Sequence, residues 1–145
     1  MIRRKADSGR RRAAAPGTHV LPALPEAARA VPEFAHLDAD ALAAVGQIMH
    51  TRHLARHELL FLEGEPGQAL YYLHAGLIRL FKTAADGKEQ TLQLLHAGAS
   101  FNHTSVLDGG PNLVSAQALE PSDLYLFYRR DLLPLLHAYP GIAVG

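Results

Sequence analysis

Residues Leu60 to Gly76 read LFLEGEPGQALYYLHAG, two apolar runs separated by Glu65-Pro66-Gly67. Proline at the second position of a turn presets φ, and glycine at the third reaches positive φ at no steric cost. The runs on either side, Glu58–Leu62 and Ala69–Leu73, are too short for helices and carry aromatic and branched residues, so the stretch predicts strand, turn, strand.

The same pattern continues outward from it. Leu77–Thr83, Glu89–His96, Ser115–Leu119 and Asp123–Tyr128 are further strand-length runs, and Asp86-Gly87 is a hairpin signal between the first two of them. Leu92, Leu94 and His96 alternate with Thr91 and Gln93, which predicts one buried face on that strand. Tyr125 and Phe127 interleave with Leu124 and Leu126, so the last strand is expected to be apolar on both sides. Short strands separated by turns imply a mainly β fold, a sandwich or barrel.

Helical patterns flank the strands. Asp38 is a fitting N-cap for LDADALAAVGQIM, in which Leu42, Val45 and Met49 recur at helical spacing and Gly46 weakens the far end. RRDLLPLLHAYPG reads as a helix capped by Asp131, with Pro134 in its first turn and Leu132, Leu133, Leu135 and Leu136 on the apolar side. Between helix and strands, HTRHLARH is open to two readings. A helix would place His50, His53 and His57 on one face as metal ligands, whereas a strand would split them. No acid stands at helical spacing to complete the set, and strand signals follow at once.

Composition narrows the function. The chain has 145 residues, 48% apolar and 19% charged, which suits one domain with a tail. It has no cysteine, which excludes disulfides, thiolate metal sites and cysteine nucleophiles. Zero formal net charge hides an asymmetry, because six of the 14 Lys and Arg fall in the first twelve residues beside the single acid Asp7. Residues 1–24, without periodicity, are expected to be a disordered basic extension; broken by Pro16, Gly17 and Pro22, they make a poor signal peptide. Eight basic against 13 acidic residues remain, which argues against a basic nucleic-acid face on the folded part. No apolar run approaches a membrane span.

The longest interruption of the strand pattern is FNHTSVLDGGPNLVSA, Phe101 to Ala116, where Asp108-Gly109-Gly110-Pro111-Asn112 concentrates turn-forming residues. Free backbone N–H groups in such a turn can cradle an anion, so the ligand site is expected here.

Gly64, Gly67, the run Leu70 to Leu73 and Gly76 resemble, in type and spacing, the cyclic-nucleotide-binding domain of the Crp/Fnr family of bacterial transcription regulators. The similarity runs from about Pro32 through LIRLFKTAADGKEQTLQLLHAGASF to the helix after Arg130. It implies a double-stranded β-helix, or jelly roll, with a short helix before it and a helix after it, spanning 25–145. It also implies a cytoplasmic, non-enzymatic sensor of a small-molecule effector, and it places the family's phosphate-binding cassette on Phe101 to Ala116. The ligand-binding residues it implies are Phe101, Asn102, His103, Thr104, Ser105, Gly109, Gly110, Asn112, Leu113 and Ser115.

The chain departs from the family at both cassette anchors. Cyclic-nucleotide-binding members follow the Phe with Gly-Glu, whose Glu takes the ribose 2′-hydroxyl, and follow Gly-Gly-Pro with an Arg that neutralises the phosphate. Here Phe101 is followed by Asn102-His103, and Pro111 by Asn112-Leu113. The expected effector is therefore something other than cyclic AMP, or none. An uncharged or weakly anionic metabolite with His103 as donor is one option. No cofactor is expected, with haem on His103 as the alternative the family leaves open. The long dimerisation helix and winged helix of the family do not follow within the 145 residues, so DNA binding and dimerisation would require them elsewhere. Two other classes are weighed: a protein-interaction module without ligand, and a cupin-like metal enzyme. The latter needs a His-x-His pair that the sequence lacks.

Overall fold

The computed structural model describes residues 26–142, and the expectation of a disordered tail over 1–24 lies outside them. A short helix α1 (Glu26–Arg29), a 3-10 turn (Pro32–Phe34) and helix α2 (Ala39–Ile48) precede the strands β1 (Met49–Leu54), β2 (Leu59–Phe61), β3 (Ala69–Ala75), β4 (Leu77–Thr83), β5 (Glu89–His96) and β6 (Ser100–Phe101). Helix α3 (His103–Asp108), strands β7 (Ser115–Ala118) and β8 (Ser122–Tyr128), and helix α4 (Arg129–Ala138) complete the order. The strands form two four-stranded antiparallel sheets, β1-β8-β3-β6 and β2-β7-β4-β5. The fold is mainly β, as the strand pattern predicts, and it is the jelly roll that the family resemblance implies.

Sheet β1-β8-β3-β6 separates two cores. On one face Phe34, Val45, Leu70, Tyr125, Phe127 and Leu132 pack with the helices, and Phe34 meets the Phe127 ring edge-on at 4.9 Å. On the other face Leu54, Leu73, Ile78, Leu124 and Leu126 fill the space between the sheets. β8 is therefore buried on both sides, as its unbroken apolar sequence predicts. Each large apolar side chain removed from water contributes about 1.5 to 3 kcal/mol.

Helix α2 begins where expected: the Asp38 carboxylate accepts from the Ala41 N–H at 2.9 Å. The Asp86-Gly87 hairpin also forms, with Gly87 at φ 88° and Ala84 N–H donating to the Lys88 carbonyl.

Two expectations need correction. Leu92 and Leu94 are 48% and 47% exposed, and the buried residue of β5 is Leu95 at 5%. Gln93 and Leu95 line a cavity, so this row of β5 faces inward, with Gln93 at the open side, and Leu92 and Leu94 face out. Helix α4 starts at Arg129, not at Asp131; its N-cap position is Tyr128, without a side-chain cap, and Pro134 lies inside the helix. The Arg129 N–H is already satisfied by the Gln68 carbonyl at 2.8 Å, so the helix starts without a capping side chain. Of the two readings open for HTRHLARH the strand holds: α2 passes directly into β1, which splits the histidines. His50 packs on Tyr128, His53 Nδ1 donates to buried Asp123 at 2.8 Å, and His57 turns at φ 70°. Among the described residues no group of three or more His, Asp and Glu is placed to hold a metal.

Candidate functional site

The cassette is built from β6, α3 and the turn that follows. Phe101 pairs with Tyr71 in register and stacks on its ring at 5.4 Å, which buries it at the root of the loop. The chain then turns sharply at Asn102, whose φ of 76° is left-handed. Asparagine tolerates this region better than most L residues because its side chain bonds locally. Its amide nitrogen donates to the Ala69 carbonyl at 3.0 Å and to the Asn112 side-chain oxygen at 3.3 Å.

His103 opens α3. Its Nε2 donates to Glu33 Oε2 at 2.7 Å, and Ser100 Oγ donates to the same carboxylate at 2.9 and 3.1 Å. Burial raises the Glu33 pKa, but the hydrogen bonds from His103 and Ser100 outweigh it, and the carboxyl titrates below its ordinary value. Glu33 belongs to the 3-10 turn before α2, so this contact ties the helical layer to the cassette. The carboxylate sits 70 positions from its partner, and no periodicity or motif joins the two in the sequence.

The turn after α3 is held by its own bonds. Gly109 caps the helix at φ 72° with its N–H on the Ser105 carbonyl. The Gly110 N–H donates to Asp108 Oδ1 at 2.7 Å, and the Gly110 carbonyl accepts from Gly67. The amide hydrogens of both cassette glycines are therefore spent inside the loop. Ser105 is buried with its hydroxyl on the Pro111 carbonyl. Gly67 is required opposite it, because a Cβ there would stand 2.3 Å from the Ser105 Cβ. Asn112, 4% exposed, donates to the Leu62 carbonyl, accepts from Asn102, and exchanges backbone bonds with Glu65 and Gly64. Ser115 is likewise buried, its hydroxyl accepting the Glu63 N–H at 2.8 Å.

A cavity of about 340 Å³ opens between this loop and the strands β4 and β5. Of the expected site residues, Phe101, Asn102, His103, Thr104, Ser105 and Leu113 line it, with Leu113 56% exposed at its mouth. Gly109, Gly110, Asn112 and Ser115 are not in the lining; they shape the loop. Residues the sequence reading did not single out, Phe61, Leu80, Gln93, Leu95, Ser100 and Val114, complete the wall. No Lys or Arg is among the described lining residues. The wall is apolar at the strands and neutral polar at the loop, with His103 and the carboxylate behind it as the titratable pair.

The loop also reaches the last helix. Arg129, the first residue of α4, donates from Nε to the Val106 carbonyl of α3 at 2.9 Å. Its guanidinium lies where a Cβ on Gly109 would approach to 2.9 Å.

Residues 51–139 match the cyclic nucleotide-binding domain family. The chain is 42% identical over 84 residues to the cyclic AMP receptor protein of Thermus thermophilus, covering 58% of this chain and 39% of that protein. Among solved structures it is similar to the Thermus thermophilus catabolite activator protein, with a TM-score of 0.68 and 34% identity over 77% of this chain and 52% of the other. The N-terminal domain of a Streptomyces coelicolor transcriptional regulator gives a TM-score of 0.67 and 33% identity, covering 77% of this chain and 78% of that one. The chain spans about two-fifths of the length of the curated regulators it matches at 30% identity or more. With its jelly roll, the helix and turn between β6 and β7, and these relatives, the chain belongs to the cyclic nucleotide-binding domain family, in the form carried by Crp/Fnr-type regulators.

Proposed function

We propose that this domain is the effector-sensing part of a Crp/Fnr-type transcription regulator, and that its effector is not cyclic AMP. The observation that carries this reading is the fate of Asn112. It stands where cyclic-nucleotide-binding members place the phosphate-neutralising Arg, and its side chain is spent on Leu62 and Asn102. His103, in place of the ribose-binding Glu, is engaged with Glu33. A cavity without a cation offers a cyclic phosphate no charge-assisted bond, and losing two such anchors costs on the order of a thousandfold in affinity. The relative named as a cyclic AMP receptor protein shares the scaffold; the inference about ligand rests on positions 102, 103, 112 and 113 of this chain.

The ligand that suits the wall is uncharged and largely apolar, with hydroxyl or amide groups for Gln93, Thr104 and His103. Read-out then runs through Arg129: a ligand that moves α3 pulls on the Val106 carbonyl and with it the start of α4, shifting the balance between two arrangements of that helix. In a longer protein this helix would lead to the DNA-binding parts. Isothermal titration calorimetry with cyclic AMP and cyclic GMP tests the reading. No binding is expected in the micromolar range, and micromolar binding of either nucleotide overturns it.

A further inference from the structure

Phe61, Tyr71 and Phe101 form an aromatic layer between the sheets, with Tyr71 stacked on Phe101 and the Phe61 and Tyr71 centroids 5.3 Å apart. Phe101 faces the cassette cavity. Tyr71 faces a second one of about 340 Å³, and Phe61 lines both. The second cavity is bounded by Arg52 of β1, Tyr71 of β3, Tyr128 at the end of β8, and Glu65 and Gln68 of the turn between β2 and β3. Its Asn112 wall has both ends of the amide engaged.

The remaining polar groups are held loosely. Arg52 is half-buried on the inner face of the edge strand, and its ion pair with exposed Glu58 is long at 3.7 Å, a contact worth little. Glu65 accepts the Leu62 N–H with one carboxylate oxygen and makes no ion pair with Arg52 among the described contacts. The hydroxyls of Tyr71 and Tyr128 have no hydrogen-bond partner among the described residues. Tyr71 is close enough to feel the charge of Arg52 and the phenol of Tyr128; burial pushes it up to about 12, so it stays a neutral donor at physiological pH.

We propose that this cavity is a second ligand site, distinct from the cassette, that takes a small zwitterion of amino-acid size. The ligand carboxylate meets the Arg52 guanidinium, whose planar fork matches it, with Tyr71 and Tyr128 donating beside it. The ligand ammonium meets Glu65. A simple anion would face Glu65 and a simple cation would face Arg52, whereas a zwitterion satisfies both charges at once. The volume lies at the small end for ligand sites, which limits the ligand to a compact molecule.

The test is a thermal-shift screen of the full chain with the standard L-amino acids one at a time, with acetate and methylammonium as single-charge probes. Heteronuclear amide NMR spectra locate any hit. At least one amino acid is expected to raise the melting temperature and to move the amide signals of Arg52 and Gln68, while acetate and methylammonium leave both unchanged. Arg52→Gln and Glu65→Gln, checked for native circular dichroism, should each weaken that ligand about tenfold or more, and His103→Ala in the cassette should not. The proposal falls if no amino acid shifts the melting temperature, if acetate or methylammonium binds as well as the hit, if the shifted signals lie in the cassette, or if Arg52→Gln binds like the unchanged chain.

Discussion

His103 Nε2 donates to Glu33 Oε2 across 2.7 Å, and this bond joins the first residue of the cassette helix to the 3-10 turn that precedes α2. The Glu33 carboxyl titrates below its ordinary value of 4.5, so the folded state binds its proton less tightly than the unfolded chain does. Such a group adds stability that is fully present above the ordinary value and is lost as pH falls through the lowered one. Glu33→Gln should therefore cost about 1 to 3 kcal/mol near neutrality and almost nothing in strong acid. Urea unfolding of both proteins at a series of pH values checks this. A difference that stays constant down to acid would sink the assignment.

Asn102 sits at φ 76° and bonds through its side chain to Ala69 and Asn112. Replacement by glycine removes those bonds but keeps the turn; replacement by alanine removes them and adds a left-handed penalty of about 1 to 2 kcal/mol. Asn102→Ala should be the less stable of the two, the reverse of the usual order of alanine and glycine. Equal midpoints in guanidinium would show that the turn relaxes.

Gly67 and Gly64 give a second contrast. A methyl on Gly67 collides with the Ser105 Cβ at 2.3 Å, whereas a methyl on Gly64 meets open space at φ 89°. Gly67→Ala should lose about 1 to 3 kcal/mol by overpacking and push α3 outward. Gly64→Ala should lose only the left-handed penalty of about 1 to 2 kcal/mol. Amide exchange in α3 separates the two, since faster exchange is expected for Gly67→Ala alone.

How far the sequence carries depends on which force places each residue. Strand positions fixed by burial on both faces, such as Leu124 to Phe127, were readable because nothing competes with the hydrophobic term there. Gly64 and Gly76 were readable because a positive φ restricts residue type, whereas Gly67 lies outside that region and is demanded by the approach of Ser105. The reading of Leu92 and Leu94 inverted because the inner surface of β5 borders a cavity, where Gln93 is the inward residue. Binary pattern assumes that inward means apolar, and a strand row that borders an open cavity breaks that assumption. The cassette loop was located from its turn residues, but Glu33 was invisible because its bond to His103 bridges distant parts of the chain. The start of α4 was misplaced because a backbone bond from Arg129 to Gln68, rather than a capping side chain, sets it.

The orientation of β5 is itself testable. Leu92→Ser and Leu94→Ser, on the outer face, should each change stability by no more than about 0.5 kcal/mol. Leu95→Ala should cost about 2 to 5 kcal/mol. The opposite ranking in a urea series would mean that the strand is turned over.

The order of strands in the first sheet also has a consequence for biosynthesis. β8, the last strand among the described residues, lies between β1 and β3 in that sheet. Until Ser122–Tyr128 has left the ribosome, β1 has no strand to pair with in that sheet, and β3 has only the two-residue β6. The nascent domain thus waits with two unpaired edges, and its closure joins segments some 70 residues apart, the kind of non-local pairing that folds in milliseconds to seconds rather than microseconds. A pause in translation before β8 prolongs that exposure, and exposed strand edges are sites where a chain pairs with the wrong partner.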